Sequence, residues 1–500
     1  MSEHFISRTD AESNLLDCAA YLAERVNSVD GRAEAISAVI PHYVASGNVD
    51  LAAELANTVD DPFTRDRLLI VVAEKCAEMD DDEYAFQLAE AVEEPALQSQ
   101  AFERIGLHKA SKDEFEKARE AASRMADSDP VLAGIAARQS ALGLEDDALK
   151  TIDDIEHAGS AVTAFIDIAF QRLREEDAAG ALKFLDLAVE EAADIEHTEE
   201  RSRAYCDIGN GFTEVGRNDR AIETFDKAKA SAETLDNVHR DAFLSLAAQG
   251  FLHAGSLDLA DRTLDLITDK THIASCLLGF SREFWKKDER AEALESLEEA
   301  YAILESQHER ETRDHKSRFR LFTSIAAQFA GFEKGERAIE IAERIQEEGE
   351  RTSALTQIAA ILTLRKEDEE ARHAYRAITE DGDRVFALVS MSDAKEKNED
   401  RTGAIELLDE AAHLAETVPQ LTMRASAYNE IGKRMQDFGE QQRANQLFEN
   451  SLDTISQIRD EGAKVGAVVS LASVAGEDFS GSEEASAVIR ALIQRSLAAY

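Results

Sequence analysis

An alanine returns along this chain at nearly fixed intervals. It stands at Ala52, Ala85, Ala118, Ala148, Ala181, Ala221, Ala260, Ala293, Ala338, Ala371, Ala404, Ala444 and Ala485. Successive spacings are 33, 33, 30, 33, 40, 39, 33, 45, 33, 33, 40 and 41 residues. Each anchor is preceded by an apolar segment of helical period and begins a second one. Such a period means one supersecondary unit repeated. Each unit is too small to bury its own apolar face and must stack on its neighbours. A step of 33 back from Ala52 reaches Ala19 in "LLDCAAYLAERV", a helix with no earlier partner. The expected organisation is a half repeat, one helix, over residues 9–28, then thirteen helix pairs over residues 31–498 in one continuous array.

Residues 202–228, "SRAYCDIGNGFTEVGRNDRAIETFDKA", show the unit most clearly. Tyr205, Ile208, Gly209, Phe212, Ala221, Phe225 and Ala228 alternate bulk with near-absence of side chain at helical spacing. Residues 425–451 repeat the pattern with Tyr428, Ile431, Gly432, Gly439, Ala444 and Phe448, and Met435 replaces the aromatic. A looser copy runs through Leu244, Ala248, Phe251, Gly255, Ala260 and Leu264. This order of residues resembles the tetratricopeptide repeat, a helix-turn-helix unit of 34 residues. The resemblance implies an all-α fold, a superhelical solenoid of antiparallel helix pairs. Gly209 and Ala221 would let two helices cross closely while the rings fill the space around them.

Punctuation agrees with this reading. Gly47, Gly143, Gly216, Gly255 and Gly439 fall where the first helix of a pair should end in a left-handed residue. Pro62, Pro95 and Pro130 fall between units, where proline opens a helix. Pro41 lies within a first helix and is expected to kink it. Spacings that exceed 33 by about 7 residues add two helical turns and keep the next unit in phase. The added segments "ADIEHTEE", "ETLDNVH" and "ETVPQLT" should form ridges along one edge. "GEDFSGSEEA" lengthens the turn of the last unit.

The charge is extreme: 101 acidic against 55 basic residues, net −46. Only 18 of the basic residues are Lys, and 37 are Arg. Self-repulsion of that size strains a compact fold in dilute buffer, and at ~1 M salt a Debye length of ~3 Å screens it. The composition is halophile-like. It disfavours nucleic-acid binding, which needs a basic footprint. No apolar run is long enough to cross a membrane. "MSEHFISRTDAE" lacks the basic and apolar regions of a signal peptide, so a cytoplasmic location is expected. Cys18, Cys76, Cys206 and Cys276 are widely spaced, without a CxxC pair, and read as small buried helix residues.

No nucleotide, nucleophile-elbow or zinc-protease motif is present. "GNG" at 209–211 follows no strand, and "EMDDDE" at 78–83 lacks the alternation of a calcium loop. His308 and His315 are seven residues apart with no third ligand. No catalytic residue, cofactor or metal site is expected. In repeats of the resembling family, ligands lie in a groove lined by first helices, at unit positions 2, 5, 9, 12 and 13. The resemblance carries these over to Arg203, Cys206, Asn210, Gln249, His253, Arg282, Trp285, Lys286, Arg320, Asn429 and Lys433. Asn210 fits the family's clamp for a peptide carboxylate, and Cys206 stands where its lysine would be. Trp285 reads either as core beside Phe280 and Phe284 or as a groove anchor. Between Arg310 and Arg320 the sign of charge inverts. Arg310, Arg313, Lys316 and Arg318 form a candidate edge for docking an acidic partner or phosphate.

The leading functional expectation is a non-catalytic scaffold or adaptor for a protein or peptide. A regulatory or assembly subunit that wraps a folded partner by its outer face is the alternative, ahead of an enzyme with a cryptic site. The charge makes one prediction directly. Thermal melts should show the midpoint climbing steeply as KCl rises toward molar levels. Equal midpoints at low and molar KCl would remove the high-salt reading.

Overall fold

Every first helix must end before its partner can fold back, and the end is made the same way throughout. The computed structural model describes residues 5–306, 315–475, 479 and 483–498. At twelve turns one residue adopts a positive φ. Five are the glycines expected, Gly47, Gly143, Gly216, Gly255 and Gly439, at φ 72–87°. The other seven are Asp80, Asp113, Glu176, Asp288, Glu333, Lys366 and Glu399, at φ 61–67°. A left-handed residue with a Cβ costs on the order of 1 kcal/mol. The bond that closes the turn holds it there. The next N–H reaches the carbonyl five residues back, as in Arg217 to Phe212 at 2.8 Å and Asp177 to Arg172 at 2.8 Å.

The helices run in this order. They are α1 (Arg8–Ala11), α2 (Leu15–Ala23), α3 (Val29–Ala45), α4 (Val49–Ala56), α5 (Pro62–Glu78), α6 (Asp82–Ala91), α7 (Pro95–Ser111), α8 (Phe115–Ala122), α9 (Asp129–Ala141) and α10 (Glu145–Asp153). Then come α11 (Ala158–Arg174), α12 (Ala178–Glu191), α13 (Thr198–Glu214), α14 (Asn218–Glu233), α15 (Arg240–His253), α16 (Leu257–Leu264), α17 (Lys270–Lys286), α18 (Arg290–Ser306) and α19 (His315–Gly331). The remainder are α20 (Gly335–Glu343), α21 (Glu348–Leu364), α22 (Asp368–Arg376), α23 (Asp381–Lys397), α24 (Arg401–Ala415), α25 (Leu421–Asp437), α26 (Gln441–Gln457), α27 (Glu461–Val474) and α28 (Glu483–Ala498). From α3 onward odd numbers are first helices. No strand occurs among the described residues. The fold is all-α, built of tetratricopeptide-like antiparallel pairs.

Extra sequence went into the second helices. The short ones, such as α4, α8 and α16, have 8 residues each. α12, α14, α18, α24 and α26 have 14, 16, 17, 15 and 17. These five belong to the units of 39–45 residues. Pro62 and Pro130 sit in the first turn of α5 and α9, where no N–H is missed. α3 continues through Pro41 to Ala45, with the proline exposed.

Close approach carries the packing. Ile208, Phe212, Ala221, Phe225 and Ala228 are wholly buried. A Cβ on Gly209 would lie 2.6 Å from Cε1 of Phe225, and one on Gly432 would lie 2.5 Å from Cε1 of Phe448. Phe225 also meets Phe251 of the next pair edge-on, with centroids 5.9 Å apart. The same ring therefore fills its own pair and joins it to its neighbour. All four cysteines are buried and free. Burial pushes the thiols of Cys18, Cys206 and Cys276 up to about 12, which keeps them protonated and unreactive.

The array expected to be continuous divides into two compact units. Residues 102–334 form one; residues 1–101 with 335–500 form the other. Within the second, the early single helix has a partner that its sequence position hides. α2 packs against α27 as a second helix packs against its first, and α3 packs against α27 as successive first helices do. α2 is surrounded, with Leu15, Cys18, Ala19, Ala20, Tyr21 and Ala23 all buried. α28, which carries the Ala485 anchor, packs mainly on α26 and α2. α27 ends at an extended residue, Ala475 (φ −80°, ψ 121°), so the chain leaves it without the left-handed reversal of the other turns.

The two kinds of glycine predict opposite signs for one substitution. Gly209→Ala gains up to ~1 kcal/mol of helix propensity but overpacks Phe225 at a cost of about 1–3 kcal/mol. Urea denaturation should show a net loss of stability. Gly331→Ala meets nothing within 4 Å and should gain stability or stay level. A gain at Gly209 would refute the close-approach account.

Candidate functional site

The open face of the first helices is clearest in the unit formed by residues 102–334. On α13 the exposed side chains are Arg203, Asp207, Asn210 and Glu214. They recur at i, i+4, i+7 and i+11, one stripe of a helix. Ser202, Cys206 and Gly209 between them are buried. The stripe therefore uses unit positions 2, 6, 9 and 13. Cys206 at position 5 faces inward, and so does Asn429, which is 1% exposed and donates from Nδ2 to Ser470 Oγ at 3.1 Å. Packing against the neighbouring first helix takes position 5, and position 6 opens to solvent in its place.

That shift brings in three residues the sequence reading passed over: Asp167 on α11, Asp207 on α13 and Leu246 on α15. Leu246 is 48% exposed. Asp167 and Asp207 reach water, yet burial among surrounding atoms raises both carboxyls above their usual range. Arg174 and Arg203 offset this in part for their respective carboxyls. Exposed tips in dense surroundings are what a concave face produces. The signal was available in the spacing from Arg203, but the resemblance pointed to position 5.

Neighbouring helices are tied across this face. His253 on α15 lies 4.0 Å from Glu214 on α13 and 3.6 Å from Glu283 on α17. Lys286 meets Glu283 at 2.7 Å. Gln249 is half-buried and donates to Ser245 Oγ at 3.2 Å. Arg282 Nε donates to Gln328 Oε1 on α19 at 2.6 Å, and Gln328 in turn donates to Ser281 Oγ. Trp285 stacks on Phe332, with centroids 4.0 Å apart and planes at 7°. The Arg290 guanidinium lies 3.7 Å from the indole centre. Two groups that close to one ring occupy its two faces, so the indole is packed between partners other than Phe280 and Phe284. Arg320 on α19 and Lys433 on α25 are exposed. The structure thus joins Arg203, Asn210, Gln249, Arg282 and Lys286 on successive helices of one unit.

Arg310 and Arg313 of the candidate edge, with His308, lie outside the described residues. Lys316 is exposed. Arg318 is turned onto the protein: it donates to the Leu304 carbonyl at 3.0 Å and lies 5.0 Å from the Phe322 ring centre. Farther along, a cavity of about 940 Å3 opens between the starts of α13 and α15, lined by His197, Glu200, Arg203, Leu235, His239 and Phe243.

Among the described residues one group could bring three ligand atoms together: Asp127, Asp129 and His157, within 4.8 Å of one another. The oxygens of Asp129 are already engaged. They accept the N–H groups of Glu156 at 3.1 Å and His157 at 2.9 Å. Asp66 accepts the N–H groups of Glu93 and Glu94, both at 2.9 Å. Asp241 accepts those of Thr268 and Asp269, at 2.9 and 2.7 Å. All three stand 19 residues before an alanine anchor. Each is a buried carboxylate that caps the start of the next first helix. The same bonds form at Asp66 and Asp241 without a histidine, so the Asp129 group is a cap between repeats.

No family model and no curated protein matches the sequence. Among solved structures the chain is similar to Ton1535 from Thermococcus onnurineus NA1, at 17% identity over 70% of this chain and 97% of that one, TM-score 0.26. It is similar to putative kinesin light chain TPR-like repeats of Podosopora anserina, at 19% identity over 45% and 100%, TM-score 0.25. A Rap protein complexed with competence and sporulation factor matches at 13% identity over 74% and 98%, TM-score 0.27. Likenesses this slight say nothing of what the chain binds. No helix among the described residues is long and apolar enough to cross a membrane.

The caps make stability depend on acid. Burial alone would raise the carboxyls of Asp129 and Asp241, but the N–H groups they accept hold both below the usual range. A depressed carboxyl contributes stability above its unfolded pKa of about 3.9 and loses it as pH falls through the folded value. Asp241→Asn should cost about 1.5–3 kcal/mol at pH 7, the range for hydrogen bonds to a charged group. Denaturation curves of mutant and wild type should converge as pH drops below about 3. A constant gap would show that the charge does not matter.

Proposed function

We propose that this chain is a non-catalytic scaffold that holds a protein or peptide on the open face of α11, α13, α15 and α17, in a high-salt cytoplasm. One observation carries the reading. Successive first helices present an unbroken stripe of side chains that no neighbouring helix covers, from Asp167 through Arg203, Asp207 and Asn210 to Leu246, Gln249, Arg282 and Lys286. In molar salt an exposed ion pair contributes little and long-range steering is nearly absent. Binding there would rest on desolvated contacts: the Leu246 side chain, amide hydrogen bonds from Asn210 and Gln249, and the planar guanidinium of Arg282. Trp285 supports the face from beneath, between Phe332 and Arg290. Arg320 extends the stripe onto α19, and Lys316 and Arg318 flank it.

The test is capture of a partner from native lysate in molar KCl, repeated with variants of exposed residues. Leu246→Asp and Arg282→Ala should each weaken binding of the captured partner about tenfold, or ~1.4 kcal/mol. Circular dichroism and melting should be unchanged for Leu246→Asp. Trp285→Ala should lower the melting midpoint as well as binding. Full binding by both exposed-residue variants would move the partner to the outer face and overturn this reading.

A further inference from the structure

We infer that the junction of α2 and α3 with α27 is a salt-controlled seam, which opens and closes as one unit while the pairs elsewhere stay folded. This junction differs from the others in three ways. First, its two sides are remote in sequence. α2 supplies the second helix for α27, and no turn ties the two together. Opening the seam therefore breaks no local connection, and each side keeps its own.

Second, the seam is hollow. A cavity of about 660 Å3 lies between α3 and α27. Gly31, Ala35 and Ala38 line it from one side and Gly462, Ala463 and Gly466 from the other. A Cβ on Gly466 would meet nothing within 4 Å, whereas one on Gly209 would strike Phe225 at 2.6 Å. Fewer atoms in contact mean less dispersion and less buried apolar area per helix.

Third, its polar ties are long and its charges unbalanced. Asn27 reaches Glu461 Oε2 from its N–H and from Nδ2, each at 3.3 Å. The carboxylate caps elsewhere run from 2.7 to 3.1 Å. Position 1, which holds Asp66, Asp129 and Asp241 in capped repeats, holds Gly466 in α27 and Ala33 in α3. Glu34, Asp460 and Glu461 line the cavity, with Arg459 as the one basic side chain among the lining residues. In a chain of net charge −46 the seam gains least from packing and carries uncompensated carboxylates. Screening those carboxylates closes it, and dilution opens it.

Hydrogen exchange followed by mass spectrometry on the full chain tests this at 0.1 M and 2 M KCl. At 0.1 M, amides of α2, α3 and α27 should lose protection together by about tenfold or more relative to α13 and α14. At 2 M the difference should vanish. Asn27→Cys with Glu461→Cys should form a disulfide in 2 M KCl and abolish the low-salt loss when oxidised, with reduction restoring it. Uniform exchange across the chain at both salts would overturn the proposal. So would exchange of α27 independent of α2 and α3, or a low-salt loss that persists in the oxidised variant. The wild-type measurement stands alone if the double variant fails to fold.

Discussion

Everything in this protein depends on one helix lying against the next closely enough that a glycine or alanine, and nothing larger, fits between them. A single pair has an apolar face with no cover, so each pair is stable only because another lies against it. Phe225 shows how the two levels merge. It packs over Gly209 within its own pair and meets Phe251 in the following one. Neither contact survives without the other, because both use the same ring.

Polar side chains then sew successive first helices at both ends. At the starts, Asp66, Asp129 and Asp241 accept the first N–H groups of the next first helix. At the ends, donors of one repeat reach back to the last carbonyls of the previous one. Arg172 reaches Ser140 at 3.0 Å, Lys287 reaches Leu252 at 3.0 Å and Asn398 reaches Thr363 at 3.1 Å. These are the groups a helix leaves unsatisfied. Repeats 33 residues apart satisfy them for each other, which makes the stacking directional as well as apolar. The seam at α27 is where this sewing gives way to a cavity and two long bonds.

The functional reading comes from the surface that stacking leaves over. A first helix in this arrangement buries three of its sides, and the fourth can only face open space. On α13 that remainder is Arg203, Asp207, Asn210 and Glu214. The face is held flat by ties that cross it, such as His253 between Glu214 and Glu283. Side chains already restrained by such ties lose less freedom when a ligand arrives. The high charge of the chain works on the same balance from outside, since it weakens every junction in dilute buffer and spares them all in strong salt.

Period and side-chain size were enough to read the pairs. Ala221, Phe225 and Gly209 have their roles because helical geometry places residues three and four apart on one face, and that is a local rule. The lengthened second helices were legible for the same reason: about seven residues are two turns. The left-handed turns were half legible. Five carry glycine, whereas Asp80, Glu176 and Lys366 are held at positive φ by the bonds around them rather than by their own preference. The stripe on the first helices was read one position off, because only contact with a neighbouring helix decides whether Cys206 or Asp207 turns inward. The partner of α2 was not legible at all. Residues 15–23 meet residues 461–474 near the other end of the sequence. Helical spacing reaches only to the next turn, so no local pattern records a contact that distant, and only the finished stack brings α27 to α2.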